Sequence, residues 1–166
     1  MAPNEPASGA EFDSTNKYRY RLWRIWGNPE SRVLFILLNP STATAMKDDP
    51  TIRRCLGYAR GWGYGALEVC NLFAYRATYP KHLRQAQEPI GAGNDAVIQL
   101  AVQRATTVLV AWGANGAWQG QHQRMVQMLS GLKPIYCLGL TKAGYPKHPL
   151  RLRSDLKPVL FSPSGP

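Results

Sequence analysis

Short runs of large and β-branched apolar residues recur along the chain at RVLFILL (32–38), ALEVCNLFA (66–74), TTVLVAWG (106–113) and PIYCLGL (134–140). Runs of this length, bounded by turn residues, read as strands buried on both faces, as in a parallel sheet. Between them the apolar spacing changes to that of helices. In DDPTIRRCLGYARGWGYG (48–65), Asp48 or Asp49 supplies a cap and Pro50 suits the first turn. Ile52, Cys55, Leu56 and Ala59 then share one face, and Gly61 to Gly65 stop the helix. Further helices are predicted from Asn94 (NDAVIQLAVQRA) and over about 117–131. Residues 75–93 read as a long polar loop with one helical turn, a length often tied to function.

The segment YRYRLWRIW (18–26) alternates instead, with Tyr18, Tyr20 and Leu22 on one face and Arg19, Arg21 and Trp23 on the other. That is the pattern of a half-exposed strand. Gly27-Asn28-Pro29 turns the chain, so 18–26 and 32–38 are expected to pair antiparallel. Strands alternating with helices predict an α/β fold of three layers, α/β/α. Its sheet should hold four mostly parallel strands plus the N-terminal antiparallel one. A single domain over 18–160 is expected, with flexible tails at 1–17 and 161–166.

Composition narrows this picture. At 166 residues and 45% hydrophobic, the chain is sized and stocked for one core. No apolar run approaches the roughly 18 residues a membrane span needs, and the start lacks the basic and apolar regions of a secretory signal. A cytoplasmic monomer without membrane association is the expectation. Cys55, Cys70 and Cys137 lie far apart without a C-x-x-C pair, and His82, His122 and His148 have no ligand spacing. Neither a disulfide framework, a metal site nor a cofactor is expected. The formal charge of +10 favours an anionic partner, nucleic acid or a nucleotide. Basic residues are densest in YRYRLWR (18–24) and KHPLRLRSDLK (147–157).

Each predicted buried strand ends in polar, Gly- or Pro-containing sequence: NPSTA from Asn39, NLFAYRAT with Asn71, Tyr75, Arg76 and Thr78, WGANG from Trp112, and TKAGYPKHPL with His148. Ligands of open α/β sheets bind at the carboxyl ends of strands, so Asn39, Asn71, Trp112 and His148 are predicted around one pocket. Plainer readings stand beside this one. Asn39 before Pro40 is also turn chemistry, Asn71 also a satisfier of backbone groups, Trp112-Gly113 also a packed ring beside a tight turn. His148 is also an idle surface residue, and Asp48-Asp49 reads as a helix cap ahead of a catalytic dyad. No G-x-S-x-G, Walker loop, dinucleotide fingerprint or H-E-x-x-H is present. The site residues are amides and a histidine, which does not suit two-carboxylate glycoside hydrolysis.

The set LNPSTA, DDPTIRRC, WGYG, NLFAYRAT, VAWG and the closing G-x-P-x-HPL resembles the bacterial family numbered 1643 among the domains of unknown function, over roughly residues 18–160. More distantly, the order of these motifs is similar to the uracil-DNA glycosylase superfamily. Leu38-Asn39-Pro40-Ser41 stands where the mismatch-specific uracil/thymine branch has Ile-Asn-Pro-Gly, with Ser replacing Gly. The segment from Asn71 to Thr78 resembles that branch's Asn followed by Val-Ala-Arg-Thr-Thr. Ala111-Trp112-Gly113 and His148-Pro149-Leu150 resemble Leu-Trp-Gly and His-Pro-Ser-Pro-Leu of the uracil-specific branch. The resemblance implies that fold and gives Asn39 the role of positioning the attacking water. It gives His148 the role of steadying the departing base, and Leu150 that of a wedge.

On this resemblance, substrate contacts are expected from Pro40, Ser41, Thr42, Asn71, Tyr75, Arg76, Trp112 and Gly113. Phosphate contacts are expected from Lys147, Arg151 and Arg153. The function expected is an N-glycosylase-like hydrolase acting on DNA or a modified nucleotide. Two other readings stay open: a non-catalytic nucleic-acid-binding module of the same fold, and a hydrolase of a small nucleoside derivative.

Overall fold

The computed structural model describes residues 5–162. Among these, one mixed sheet runs in the order β1-β2-β4-β3-β5-β6-β7. Its strands are β1 (Ser8–Phe12), β2 (Arg19–Ile25), β3 (Arg32–Leu37), β4 (Ala66–Asn71), β5 (Thr107–Val110), β6 (Ile135–Cys137) and β7 (Val159–Leu160). Four α-helices accompany it: α1 (Pro50–Gly61), α2 (Pro80–Gln85), α3 (Asn94–Arg104) and α4 (Gln121–Ser130). A kinked 3-10 segment, Ala114–Gly120, leads into α4.

The α/β class holds, and the sheet departs from four mostly parallel strands with one antiparallel neighbour. β3 runs parallel to β4 and β5, and β5 to β6. The pairs β1–β2, β2–β4 and β6–β7 are antiparallel. β2 pairs with β4 and not with β3, because β3 is already flanked on both edges. Trp26 and Gly27 donate to the Gly65 carbonyl, which aligns the end of β2 with the start of β4. With β1 on its other edge, β2 is an inner strand, and Arg19, Arg21, Leu22, Trp23 and Arg24 are all buried instead of half-exposed. Residues 8–12, expected in a flexible tail, form β1. Phe161, at the start of the other expected tail, is buried and donates its N–H to the Ile135 carbonyl. Residues 1–4 and 163–166 lie outside the described residues.

Strand alternation divides the core between the two sheet faces. Val33, Phe35, Leu37, Leu67, Val69, Leu109 and Ala111 form one cluster with Ile52, Cys55, Tyr58 and Ala59 of α1. Leu34, Ile36, Cys70, Val108, Val110 and Trp112 form the other, with Ile98, Ala101 and Val102 of α3 and Met125 and Leu129 of α4. Of the two candidate caps for α1, Asp49 is the one used: its Oδ1 accepts the Ile52 N–H at 2.9 Å. Asp48 turns instead to Arg24, 3.0 Å away.

A buried ionic cluster holds the amino-terminal end of the parallel strands. Glu68 of β4, fully buried, accepts from Arg21 at 2.6 Å, Arg32 at 2.8 Å and Arg104 at 2.7 Å. Glu5 joins Arg21 at 2.8 Å and Arg32 at 3.1 Å. Part of the basic stretch 18–24 is therefore internal counter-charge and not an exposed nucleic-acid surface.

Candidate functional site

A narrow cleft of about 40 Å³ opens at the carboxyl ends of β3 and β4, on the α1 side. That volume admits about three waters, or the edge of one small planar ring. Alternation explains its polar floor. The odd positions of β3 and β4 face α1, and carrying each strand to its end delivers Asn39 and Asn71 to that side. Leu37 is the register partner of Asn71, so Asn39 lies just beyond it. His148, from the last long loop, also lines the cleft.

Asn39 is held in one orientation. Its Nδ2 donates to the Ala77 carbonyl at 2.7 Å and the Pro40 carbonyl at 3.0 Å. Both amide hydrogens are thereby used, and Oδ1 remains as an acceptor without a partner among the described residues. The turn reading and the site reading are thus both served: the amine fixes the loop, the oxygen is presented.

Asn71 is 1% exposed, and neither Nδ2 nor Oδ1 finds a hydrogen-bond partner among the described residues. A buried amide in this state costs about 1–3 kcal/mol, and buried polar groups are almost always satisfied. Its main-chain carbonyl, by contrast, accepts from Asn94 Nδ2 at 2.9 Å, which pins the strand end beneath it. The side chain offers one donor group and one acceptor on a rigid mount. Asn71→Leu is therefore expected to raise the unfolding free energy, by about 1–3 kcal/mol, while ligand binding at the cleft is lost. Denaturant titration and binding on the same variant check both halves.

His148 Nδ1 accepts the Leu150 N–H at 3.2 Å, which places the proton of the neutral ring on Nε2. Burial pushes the ring below its ordinary 6.5, partly opposed by the charge of Asp49. The ring is neutral at pH 7 and a donor through Nε2.

Three polar cleft residues were not among the predicted site residues: Arg19, Asp49 and Thr51. Arg19 is 2% exposed, donates Nη1 to the Ala43 carbonyl at 3.2 Å, and leaves Nε without a partner among the described residues. Burial lowers it to about 10, opposed by Asp49, so it stays cationic at neutral pH. The alternation of 18–26 had suggested an exposed arginine, and nothing local signals its burial. Asp49 was read as a helix cap ahead of a catalytic dyad; the same residue also lines the cleft.

The remaining candidates fall into place around this group. Pro40 and Ser41 line the cleft. Ser41 Oγ lies 3.0 Å from Thr78 Oγ1, and its carbonyl accepts from Arg76 Nε at 3.2 Å. Arg76 also donates to the Asn16 carbonyl at 3.0 Å and covers the Phe12 ring, so it clamps loops together. Thr42 is exposed outside the cleft, and Tyr75 packs edge-on against Tyr18.

The structure does not bring Trp112 to the cleft. Its even register turns it to the α3–α4 face, where it is 1% exposed and donates Nε1–H to His122 Nδ1 at 3.0 Å. Gly113 has φ 75, a conformation that favours glycine. Its N–H bonds the Pro146 carbonyl at 2.8 Å, which anchors the loop carrying His148. Lys147 is half-buried, Arg151 is exposed with φ 68, and Arg153 is exposed and paired bidentately with Asp155 at 2.7 and 3.0 Å.

No helix among the described residues is long and apolar enough to cross a membrane, and no cluster of metal-ligating side chains occurs among them. Neither a curated protein nor a solved structure matches the chain. One family does match, over residues 19–150, a span that contains Arg19, Asn39, Asp49, Asn71 and His148. With most of its length covered, this chain belongs to the family described as protein of unknown function (DUF1643).

Proposed function

We propose that the cleft hydrolyses an N-glycosidic bond, on DNA or on a modified nucleotide, in the manner of the uracil-DNA glycosylase superfamily that the motifs resemble. The observation that carries this reading is the buried, unpartnered amide of Asn71. It presents a donor beside an acceptor, the complement of the paired acceptor and donor on a nucleobase edge. Asn39 Oδ1 orients the water. Water oxygen attacks the anomeric carbon, the carbon–nitrogen bond breaks, and its electron pair leaves with the base. His148, neutral with its proton on Nε2, hydrogen-bonds the base anion as charge develops. The proton lost by the water passes to the unbonded oxygen of Asp49 or to solvent. Arg19, charged and buried, lines the cleft with Asp49.

One observation favours a nucleoside derivative over a DNA strand. Arg153, expected on phosphate, is already engaged by Asp155. The test therefore runs both substrates. Oligonucleotides carrying uracil, mismatched thymine or hypoxanthine are incubated with protein and heated in alkali, while free nucleosides are followed for base release. Strand breaks dependent on Asn39 and His148 support the DNA reading, and release from nucleosides alone supports the other. Absence of both leaves a binding module and overturns hydrolysis. If His148 acts as the neutral donor, the acid limb of turnover lies below pH 6.5, its ordinary value, since burial depresses the ring.

A further inference from the structure

On the outward side of α1, beside the cleft, lies a groove of about 420 Å³. The helix contributes Arg53, Arg54, Gly57 and Tyr58, and the C-terminal segment contributes Leu150 and Ser154. The groove and the cleft are neighbours. Pro50, at the groove, stands between the cleft residues Asp49 and Thr51, and Leu150 is bonded through its N–H to His148. The groove's far wall is pinned in place, because the Tyr58 hydroxyl donates to the Arg153 carbonyl at 2.5 Å.

Two features bear on what the groove can hold. The first is charge. Arg21, Arg24, Arg32, Arg104, Arg124 and Arg153 each pair with a carboxylate. Among the described residues Arg53 and Arg54 do not, nor do Arg19, Arg60, Arg76, Arg84 and Arg151, but Arg53 and Arg54 stand together in one groove. Arg53 has one long bond to the Asp48 carbonyl, 3.4 Å, and Arg54 lies 5.9 Å from the Tyr58 ring centre. No carboxylate lines the groove among the described residues. The nearby Asp155 is occupied by Arg153.

The second is Gly57. Glycine inside a helix is unfavourable relative to alanine, so it usually marks a left-handed φ or a close neighbour. Gly57 has neither: its φ is not positive, and a Cβ built there meets nothing within 4 Å. The chain's own packing does not require it. Gly57 lines the groove, so a side chain added there projects into it.

We propose that this groove binds the phosphate ester of the substrate, with Arg53 and Arg54 as counter-ions, Ser154 as a hydroxyl donor, and the sugar against Leu150 and Tyr58. The assignment of this phosphate to a substrate whose base enters the cleft rests on the proposed glycosidic reading. Guanidinium forks suit phosphate oxygens, and the shared wall sets phosphate and base at the two ends of one nucleotide.

The test uses 2-deoxyribose 5-phosphate, which has no base, titrated into the whole protein by calorimetry. Binding is expected to weaken with salt and to fall by about tenfold or more in R53A/R54A and in G57E. G57E brings a carboxylate to the groove from a Cβ position that meets nothing within 4 Å, and it should melt at or above the wild-type temperature. No binding by wild type, or unchanged affinity in G57E, overturns the proposal. A short abasic single strand as a second probe separates sources: tighter, G57E-sensitive binding indicates a strand phosphodiester, and equal binding a mononucleotide phosphate. If the sugar phosphate binds but no substrate loses its base, the groove stands and the glycosidic reading falls. If base release proceeds in G57E with wild-type KM, the groove falls and the glycosidic reading stands.

Discussion

Glu68→Ala is expected to lower the unfolding free energy by about 3–5 kcal/mol, the usual cost of removing one partner from a buried ion pair. Three guanidiniums converge on this carboxylate, and Arg32 is itself wholly buried. Without Glu68, Glu5 remains for Arg21 and Arg32, and the ion pair of Arg104 is lost. For a domain with a total stability of about 5–15 kcal/mol, that is a large fraction. Urea denaturation at pH 7 reads it directly. The pH dependence supplies a second check. Burial by itself raises the Glu68 carboxyl, but hydrogen bonds from Arg104 and Arg21, with their charges, overcome this and hold it below the ordinary 4.5. As pH falls, the unfolded chain takes up the proton first. The contribution of Glu68 is complete above about the ordinary carboxylate value and is lost as pH falls through its lower folded value. Glu68→Gln, which keeps the shape and removes the charge, should flatten this acid limb. A variant as stable as wild type, with an unchanged limb, would remove the cluster from any structural role.

Asn39→Ala is expected to reduce turnover by about 10²-fold or more, the scale of a lost water-positioning contribution. Its stability cost should be only about 1 kcal/mol, the size of a capping bond. The two effects separate because the amide has two ends. Nδ2 ties Pro40 to Ala77, so its removal loosens the loop, whereas Oδ1 has no partner among the described residues and, on the proposed reading, its removal acts on turnover. Asn39→Asp discriminates further. It loses both Nδ2 bonds and sets a carboxylate against the Ala77 and Pro40 carbonyls, so it should be less stable than Asn39→Ala. If the oxygen is what matters, it should nonetheless retain more turnover per folded molecule. Thermal unfolding and single-turnover base release on both variants decide the question. Turnover that simply follows the folded fraction would make Asn39 a turn residue alone.

Several parts of this molecule were legible residue by residue. The runs at 32–38 and 66–74 are mostly apolar, and they form the adjacent strands β3 and β4. Ile52, Cys55 and Ala59 fall at helical spacing and form the buried face of α1. Asn39, Asn71 and His148 follow their apolar runs and meet at one cleft. Trp112 did not join them. One residue of register, even against odd, sends it through the sheet to the opposite layer.

What the sequence determined by itself was local: where strands and helices form, which face of α1 is apolar, and that polar residues end the β3 and β4 segments. Those features follow from side-chain period, capping and turn chemistry within a few residues. The tertiary structure alone decided the strand order, the place of β2 beside β4, and the joining of 8–12 to the sheet. It alone turned Arg21 and Arg32 inward to Glu68, and set Arg19 and Asp49 into the cleft. Each of these depends on partners far apart along the chain, such as Arg19 with Ala43 and Arg32 with Glu68. An arginine beside a tyrosine reads the same in sequence whether its strand lies at the edge of a sheet or inside it. Only the neighbouring strands determine whether its charge meets water or a buried carboxylate.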